Sequence, residues 1–312
     1  MSLYSRGILM ILGSAFCLST SGIGLRVIEA ADGWQILFYR SLSMMGLVLV
    51  VLLLRPEPIA ARIKSLTKDD FLLAVVLGTG FCAYVFALLQ TTVANALFVF
   101  SAAPFFAAVL GWLVLKEKVA PRTWLAIAAA MAGLIVMVGA GLTGGRVAGN
   151  LIALWLPMSY AISVVLVRRS RQPDMLLALF MATLVATGIS FVFNGVDLNA
   201  PDPAFSLHAA LAALRGPALT GWDIGASVAM GIFQVGAGFI LMILGARYVP
   251  AAPVGLFALV EPVLGPTWAW MVVSEVPAGT TLIGGLVILA AVGVDAALSA
   301  SKKAKGSAAA KT

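Results

Sequence analysis

Charge is scarce in this chain. Only 11% of its 312 residues are Asp, Glu, Lys or Arg, against roughly 25% in an ordinary soluble domain. With 62% hydrophobic residues and a mean hydropathy of +1.06, the apolar surface is too large to hide in one water-exposed core. Histidine is nearly absent: His208 stands alone in a connection, and the apolar runs hold no pair of carboxylates. Neither a nucleophile with its base nor a metal-ligand set is available, which argues against an integral-membrane enzyme. The two cysteines, Cys17 and Cys82, lie inside apolar segments without chelating spacing, so they read as small buried hydrophobes rather than as a disulfide or metal site. No Gly-x-x-x-x-Gly-Lys-Ser/Thr occurs, and Gly22-Ile23-Gly24 and Gly236-Ala237-Gly238 precede nothing like a phosphate loop. ATP hydrolysis on this chain is excluded, and no cofactor is expected. The net charge of +7 falls mostly in short connections, so the partner it implies is the lipid bilayer and not a nucleic acid.

What the chain does have is long apolar runs. Lipid offers no partners to backbone polar groups, so a spanning segment must be a helix or part of a closed barrel. Runs of about 20 apolar residues argue for helices; a barrel would show weak alternation over about ten. The runs predict ten spans, at Gly7 to Val27, Gly33 to Leu54, Phe71 to Gln90, Thr92 to Leu115, Arg122 to Gly141, Gly149 to Val167, Met175 to Asn194, Asp223 to Ala246, Pro250 to Val273 and Ala278 to Ser299. The first run is long, Gly-rich and without a small-residue cleavage site, so it is expected to stay as a membrane helix. Lys and Arg number 16 in the segments on the N-terminal side of the membrane and 3 on the other. That split predicts both termini cytoplasmic in a multi-pass protein of the cell (inner) membrane. One outer connection is long, 195–222. Within it, Leu207, Leu211 and Leu214 fall on one face of a predicted interfacial helix.

An internal repeat organises the runs. A shift of 158 residues brings Pro104 onto Pro262, Trp112 onto Trp270, Glu117 onto Glu275, Gly78 and Gly80 onto Gly236 and Gly238, and Phe81 onto Phe239. Nearer the start the register is 142, with Gly7 on Gly149, and the long outer connection absorbs the difference. The halves are 1–145 and 146–312, the second carrying a basic C-terminal tail. Five is an odd number of helices, so the second half must insert upside down. The expected fold is all-α integral membrane: ten transmembrane helices as two inverted five-helix repeats around a central cavity. Such repeats bind substrate near the midplane in secondary transporters.

A mid-helix proline followed 13 residues later by a helix-end glutamate, once in each half, resembles the EamA-type drug/metabolite transporter superfamily. It reads Ala103-Pro104-Phe105-Phe106 to Leu115-Lys116-Glu117, and Glu261-Pro262-Val263-Leu264 to Ser274-Glu275. Phe38-Tyr39-Arg40-Ser41 looks like the family's aromatic-Arg element. The likeness spans nearly the whole chain, with two departures: Ala103 stands where the first Glu-Pro element would have Glu, and no Arg in the second half answers Arg40. The resemblance implies a ten-helix basket that exports small metabolites, and the aromatic and Met content looks most like the branch of amino-acid exporters, including those for aromatic amino acids.

Several residues are candidates for that work. Glu261 is an intramembrane carboxylate, expensive unless paired or protonated. It reads as a proton site, as a partner for a substrate amine, or as a structural group for backbone freed by Pro262. Arg40, about 10 Å into its span at 1.5 Å per residue, either anchors a substrate carboxylate or phosphate, snorkels outward, or pairs with a neighbouring acid. Pro104 and Pro262 mark kinks. Polar and aromatic groups expected to line the cavity are Phe81, Tyr84, Asn95, Phe98, Ser101, Trp155, Ser159, Tyr160, Gln234 and Phe239. Glu117 and Glu275 read as structural or gating groups near the membrane surface, Trp112 and Trp270 as interface anchors, and Asp295 as solvated. The functional expectation is a secondary transporter that exports amino acids, aromatic or neutral, by alternating access. The alternatives are an exchanger of phosphorylated metabolites or nucleotide sugars, and a channel-like or non-transport membrane protein. The sequence leaves the oligomeric state, coupling ion and direction open.

Overall fold

In the computed structural model the described residues are 3–56, 59–64, 66–116, 119–143, 147–169, 175–196, 204–215, 219–249 and 260–309. They are helical almost throughout, with one isolated bridge between Val196 and Phe205. The first half holds α1 (Leu3–Ser19), α2 (Ser21–Arg26), α3 (Gly33–Leu53), the short α4 (Ile59–Lys64), α5 (Lys68–Gln90), α6 (Val93–Ser101), α7 (Ala103–Leu115) and α8 (Pro121–Thr143). The second holds α9 (Val147–Arg169), α10 (Met175–Asn194), α11 (Leu207–Ala213), α12 (Gly221–Ala229), a π-helical stretch (Met230–Gly236), α13 (Ala237–Gly245), α14 (Val260–Val273) and α15 (Gly279–Ala309). Grouped by span these make ten transmembrane helices. Three expected spans are divided: the first at Thr20, the fourth at Ala102 and the eighth by the π stretch. The start of the ninth, 250–259, lies outside the described residues, as does Glu117. The tenth runs past Ser299 to Ala309, because the Ala- and Lys-rich segment expected as a tail has high helix propensity.

Polar caps decide where the spans start. Asp32 accepts from the Trp34 and Gln35 N–H groups while the Gln35 side chain returns to the Asp32 N–H, a capping box for α3. At the start of α5 the Asp70 carboxylate accepts from both the N–H and the hydroxyl of Thr67. Thr92 caps α6 and Thr220 caps α12 through the N–H groups of Asn95 and Asp223.

The halves interleave as an inverted pair should. α1 packs on α13 and α14, and its repeat mate α9 packs on α5 and α7; α3 packs on the π stretch and α12, while α10 packs on α5. The two registers meet at individual contacts. A Cβ on Gly7 would press on Tyr248, and one on Gly149 would press on Gln90; 142 residues separate the glycines and 158 their neighbours. Among the described residues two non-glycine residues have left-handed backbone, Lys116 (φ 57°) and Ser274 (φ 54°), again 158 apart. Each turns the chain out of a repeat-equivalent helix just before a glutamate. α8 and α15, the peripheral fifth and tenth spans, approach closely where Gly133 faces the Gly284 carbonyl.

The long connection departs from expectation. α11 forms, capped by the Ser206 hydroxyl on the Ala209 N–H, but its leucines do not share one environment. Leu207 and Leu211 are exposed, whereas Leu214 and Ala210 are buried. The Gln35 amide and the Tyr39 hydroxyl donate to the Ala213 and Leu214 carbonyls at 2.9 and 2.5 Å. These bonds pull the helix end onto α3.

Candidate functional site

Three consecutive hydroxyl residues open the first span. Ser19, Thr20 and Ser21 donate back to the carbonyls of Phe16, Cys17 and Leu18. This back-bonding competes with the helix ladder and bends it; here the ladder breaks between α1 and α2. The same hydroxyls then accept from other spans, two of them in the second half. Gln234 Nε2 donates to Thr20 Oγ1 at 3.0 Å, Trp268 Nε1 to Ser19 Oγ at 3.1 Å, and the Tyr84 hydroxyl to Ser21 Oγ at 2.9 Å.

Arg40 faces this break from α3, directly after Tyr39 and little more than a turn beyond Gln35. It is 4% exposed, so it does not snorkel. Its guanidinium carbon lies 5.5 Å from the centroid of the Tyr84 ring, a cation–π contact. Among the described residues no acid bridges it, and its buried Nη1 has no hydrogen-bond partner. The Gln234 Oε1 acceptor is likewise buried and unpartnered among them. Glu261, from the second half, is buried as well, 8% exposed. Tyr84 thus meets the Arg40 cation with its ring and Ser21 with its hydroxyl. Beside them Phe81 and Phe239, repeat mates, meet edge-to-face with centroids 5.5 Å apart. A contact between equivalent residues marks the pseudo-two-fold axis.

The eighth span is shaped for this place. In the π stretch that carries Gln234, a Cβ on Gly231 would overlap Ser43 Oγ and the Arg40 carbonyl, so only glycine lets the two backbones come together. The Ser43 hydroxyl donates to the Val228 carbonyl at 3.2 Å, just before the widened turns. Such π segments are rare and concentrate at functional sites.

The remaining candidates are not gathered at this centre. Asn95 donates to Thr91 Oγ1 and to Asn150 Oδ1, in a polar knot at one end of the bundle. Phe98 packs flat on Gly285 of the tenth span. Ser101 and Ser159 return their hydroxyls to the Phe98 and Leu156 carbonyls, which satisfies them locally. Trp155 and Tyr160 are exposed on α9; the indole donates to Thr79 Oγ1 at 3.3 Å and the phenol ring meets Phe100 edge-on. Of the kink prolines, Pro104 follows the break at Ala102, and Pro262 lies buried within α14. Asp295, expected in water, instead accepts from Thr123 Oγ1 at 2.9 Å and lies 3.8 Å from Arg122 Nε. That pair rims an apolar groove between α8 and α15, lined by Leu125, Ala126, Val287 and Ala291. Sequence reading missed the hydroxyl break and the π stretch. The polar run Ser19-Thr20-Ser21 inside an apolar span was the available signal for the first.

A buried cation and a buried carboxylate from opposite halves, at the axis of an inverted repeat, suit a carrier better than a scaffold. Comparison with known proteins agrees. The EamA-like transporter family matches residues 5–139 and 147–294, one match in each half. The chain belongs to this family. A solved crystal structure, titled only as that of a protein, superposes with a TM-score of 0.61 at 20% identity, over 93% of this chain and 96% of that one. At that identity the likeness speaks for the fold alone. No curated protein matches the chain. As an EamA-like transporter it is a multi-pass membrane protein that moves small molecules, and the polar centre lies between its two matched segments.

Proposed function

We propose that this EamA-like transporter exports zwitterionic amino acids, aromatic or neutral, across the cell inner membrane by alternating access, with both termini cytoplasmic. The observation that carries the reading is Arg40: a guanidinium buried in a membrane span whose Nη1 finds no partner among the described residues. Buried donors are nearly always satisfied, and a charge within the membrane is a default marker of a substrate pathway. A carboxylate offers the guanidinium a charge-assisted, geometrically matched partner. Glu261, a buried carboxylate of the second half, supplies the opposite charge for an ammonium group, and Phe81 and Phe239 supply apolar faces for a side chain. The orientation rests on the 16 to 3 split of Lys and Arg.

Phosphate would also suit Arg40, but one guanidinium facing a carboxylate is a poor site for a dianion. The test is uptake of radiolabelled tryptophan or phenylalanine into proteoliposomes holding only this protein, with and without a pH gradient. Saturable uptake and counterflow by unlabelled substrate support an amino-acid carrier. No uptake above empty liposomes, with exchange of a phosphorylated metabolite instead, would overturn it. Flux without counterflow would indicate a pore.

A further inference from the structure

At one end of the bundle, beyond the central site, Arg26 and Glu275 close a bridge between the halves. Arg26 Nε lies 2.8 Å from Glu275 Oε2. The guanidinium also donates to the Leu88 and Thr91 carbonyls at 2.7 and 2.9 Å, at the C-terminus of α5. The carboxylate's other oxygen accepts from the Val93 N–H at 2.6 Å, at the N-terminus of α6. The pair therefore caps both sides of one turn, each ion at the helix end that its charge favours. Behind it, Thr91 Oγ1 bonds Asn150 Oδ1 of α9, and Asn95 bonds both. Four parts of the chain, the ends of spans one and nine, the turn between three and four, and the start of six, are tied at this face.

We propose that this knot is the gate that closes the central site on the Arg26 face, with the Arg26–Glu275 bridge as its latch; the proposal rests on the carrier reading above. Three observations support a latch over a passive brace. The bridge joins the two halves, which must separate for that face to open. Its side chains keep 24% and 17% exposure, so water can take over both ions as it parts. The repeat also supplies a counterpart at the opposite face: Arg168 stands 142 residues after Arg26 and Glu117 158 before Glu275. There, however, the polar supports Thr91, Asn95 and Asn150 are answered by Val249, Pro253 and Ile8. In the structure these bonds hold the Arg26 face closed.

The test is the rate at which a membrane-impermeant maleimide modifies Cys82, next to the central site, in full-length protein carrying Cys17→Ser. The reagent is applied in turn from each side of the membrane. Glu275→Gln and Arg26→Gln should each raise the rate at least fivefold from the Arg26 side only, and Arg26→Lys, which keeps the charge, should raise it less than Arg26→Gln does. Rates within twofold of the parent in both single variants overturn the proposal. So does an equal rise from both sides of the membrane, which would mark general loosening. No substrate is needed, so a failed amino-acid assay leaves this result readable.

Discussion

The third span and its partner in the second half occupy equivalent places and are built differently. α5 is an unbroken α-helix over 23 residues. Its counterpart changes from α12 to seven π-helical residues and back to α13. In the ungapped register Gly231 stands where the first half has Leu73, and Gln234 where it has Val76. Toward the ends of the spans the halves agree, as the Gly7–Tyr248 and Gly149–Gln90 contacts and the two left-handed turns show. In the middle they part. Arg40 is answered by Ala182, Tyr84 by Met242 and Glu261 by Ala103. Close packing is shared by both copies, whereas each charged or polar group of the centre belongs to one copy. An asymmetric ligand between symmetric scaffolds would require this division of labour.

The largest break in the comparison should come from removing the charge that only the first half carries. Arg40→Met keeps length and apolar contact while deleting the guanidinium. A hydrogen bond to a charged group contributes about 1.5–3 kcal/mol, so uptake of a carboxylate-bearing substrate should fall about ten- to a hundredfold. The fold should persist, since replacing a buried charge with an apolar group of similar size is often neutral or stabilising. Unchanged uptake with an unchanged melting curve would remove Arg40 from the site.

Next comes the glycine that only the second half carries. A Cβ at Gly231 meets Ser43 Oγ and the Arg40 carbonyl, so Gly231→Ala must push α3 and the π stretch apart. Overpacking of this kind costs about 1–3 kcal/mol, read as a lower melting temperature of the purified protein in detergent. A variant as stable as the parent would mean that the close approach is not needed.

Glu261→Gln is expected to act more narrowly. If the carboxylate couples transport to a proton gradient, gradient-driven uptake falls several-fold to the level seen without a gradient, while counterflow continues. Equal loss of both would assign Glu261 to substrate binding alone.

How much of this was legible beforehand follows from the same contrast. Periodic, shared features could be read from sequence: the spans are long apolar runs, and mates such as Pro104 and Pro262 announce the repeat. Arg40, Tyr84, Gln234 and Glu261 were visible because a polar group in an apolar run is expensive and therefore conspicuous. What joins them was not visible. Ser19, Thr20 and Ser21 look like tolerable helix residues until their hydroxyls turn back on the ladder. The π stretch depends on Ser43 and Gly231, 188 residues apart in the chain. Asn95 and Phe98 looked like cavity residues because composition alone does not say which helix face meets a neighbour. Arg26 counted merely as a charge in an outer loop, since its partner Glu275 is set by tertiary structure.

The smallest effect tests the symmetry itself. Ser274 and Lys116 hold left-handed backbone at exposed turns in equivalent places. A side chain at positive φ costs roughly 1–2 kcal/mol that glycine escapes, but glycine also frees the unfolded chain by about 0.4–1 kcal/mol. Ser274→Gly and Lys116→Gly should therefore each stabilise the protein by no more than about 1 kcal/mol, visible as a small rise in melting temperature. The informative quantity is the difference between them. Matching rises would mean the two turns store the same strain, as copies of one structure should. A rise at Lys116 alone would mean that the bonds around Glu275 already hold the Ser274 turn, so that the turn beside the bridge to Arg26 has ceased to be a plain copy of its partner.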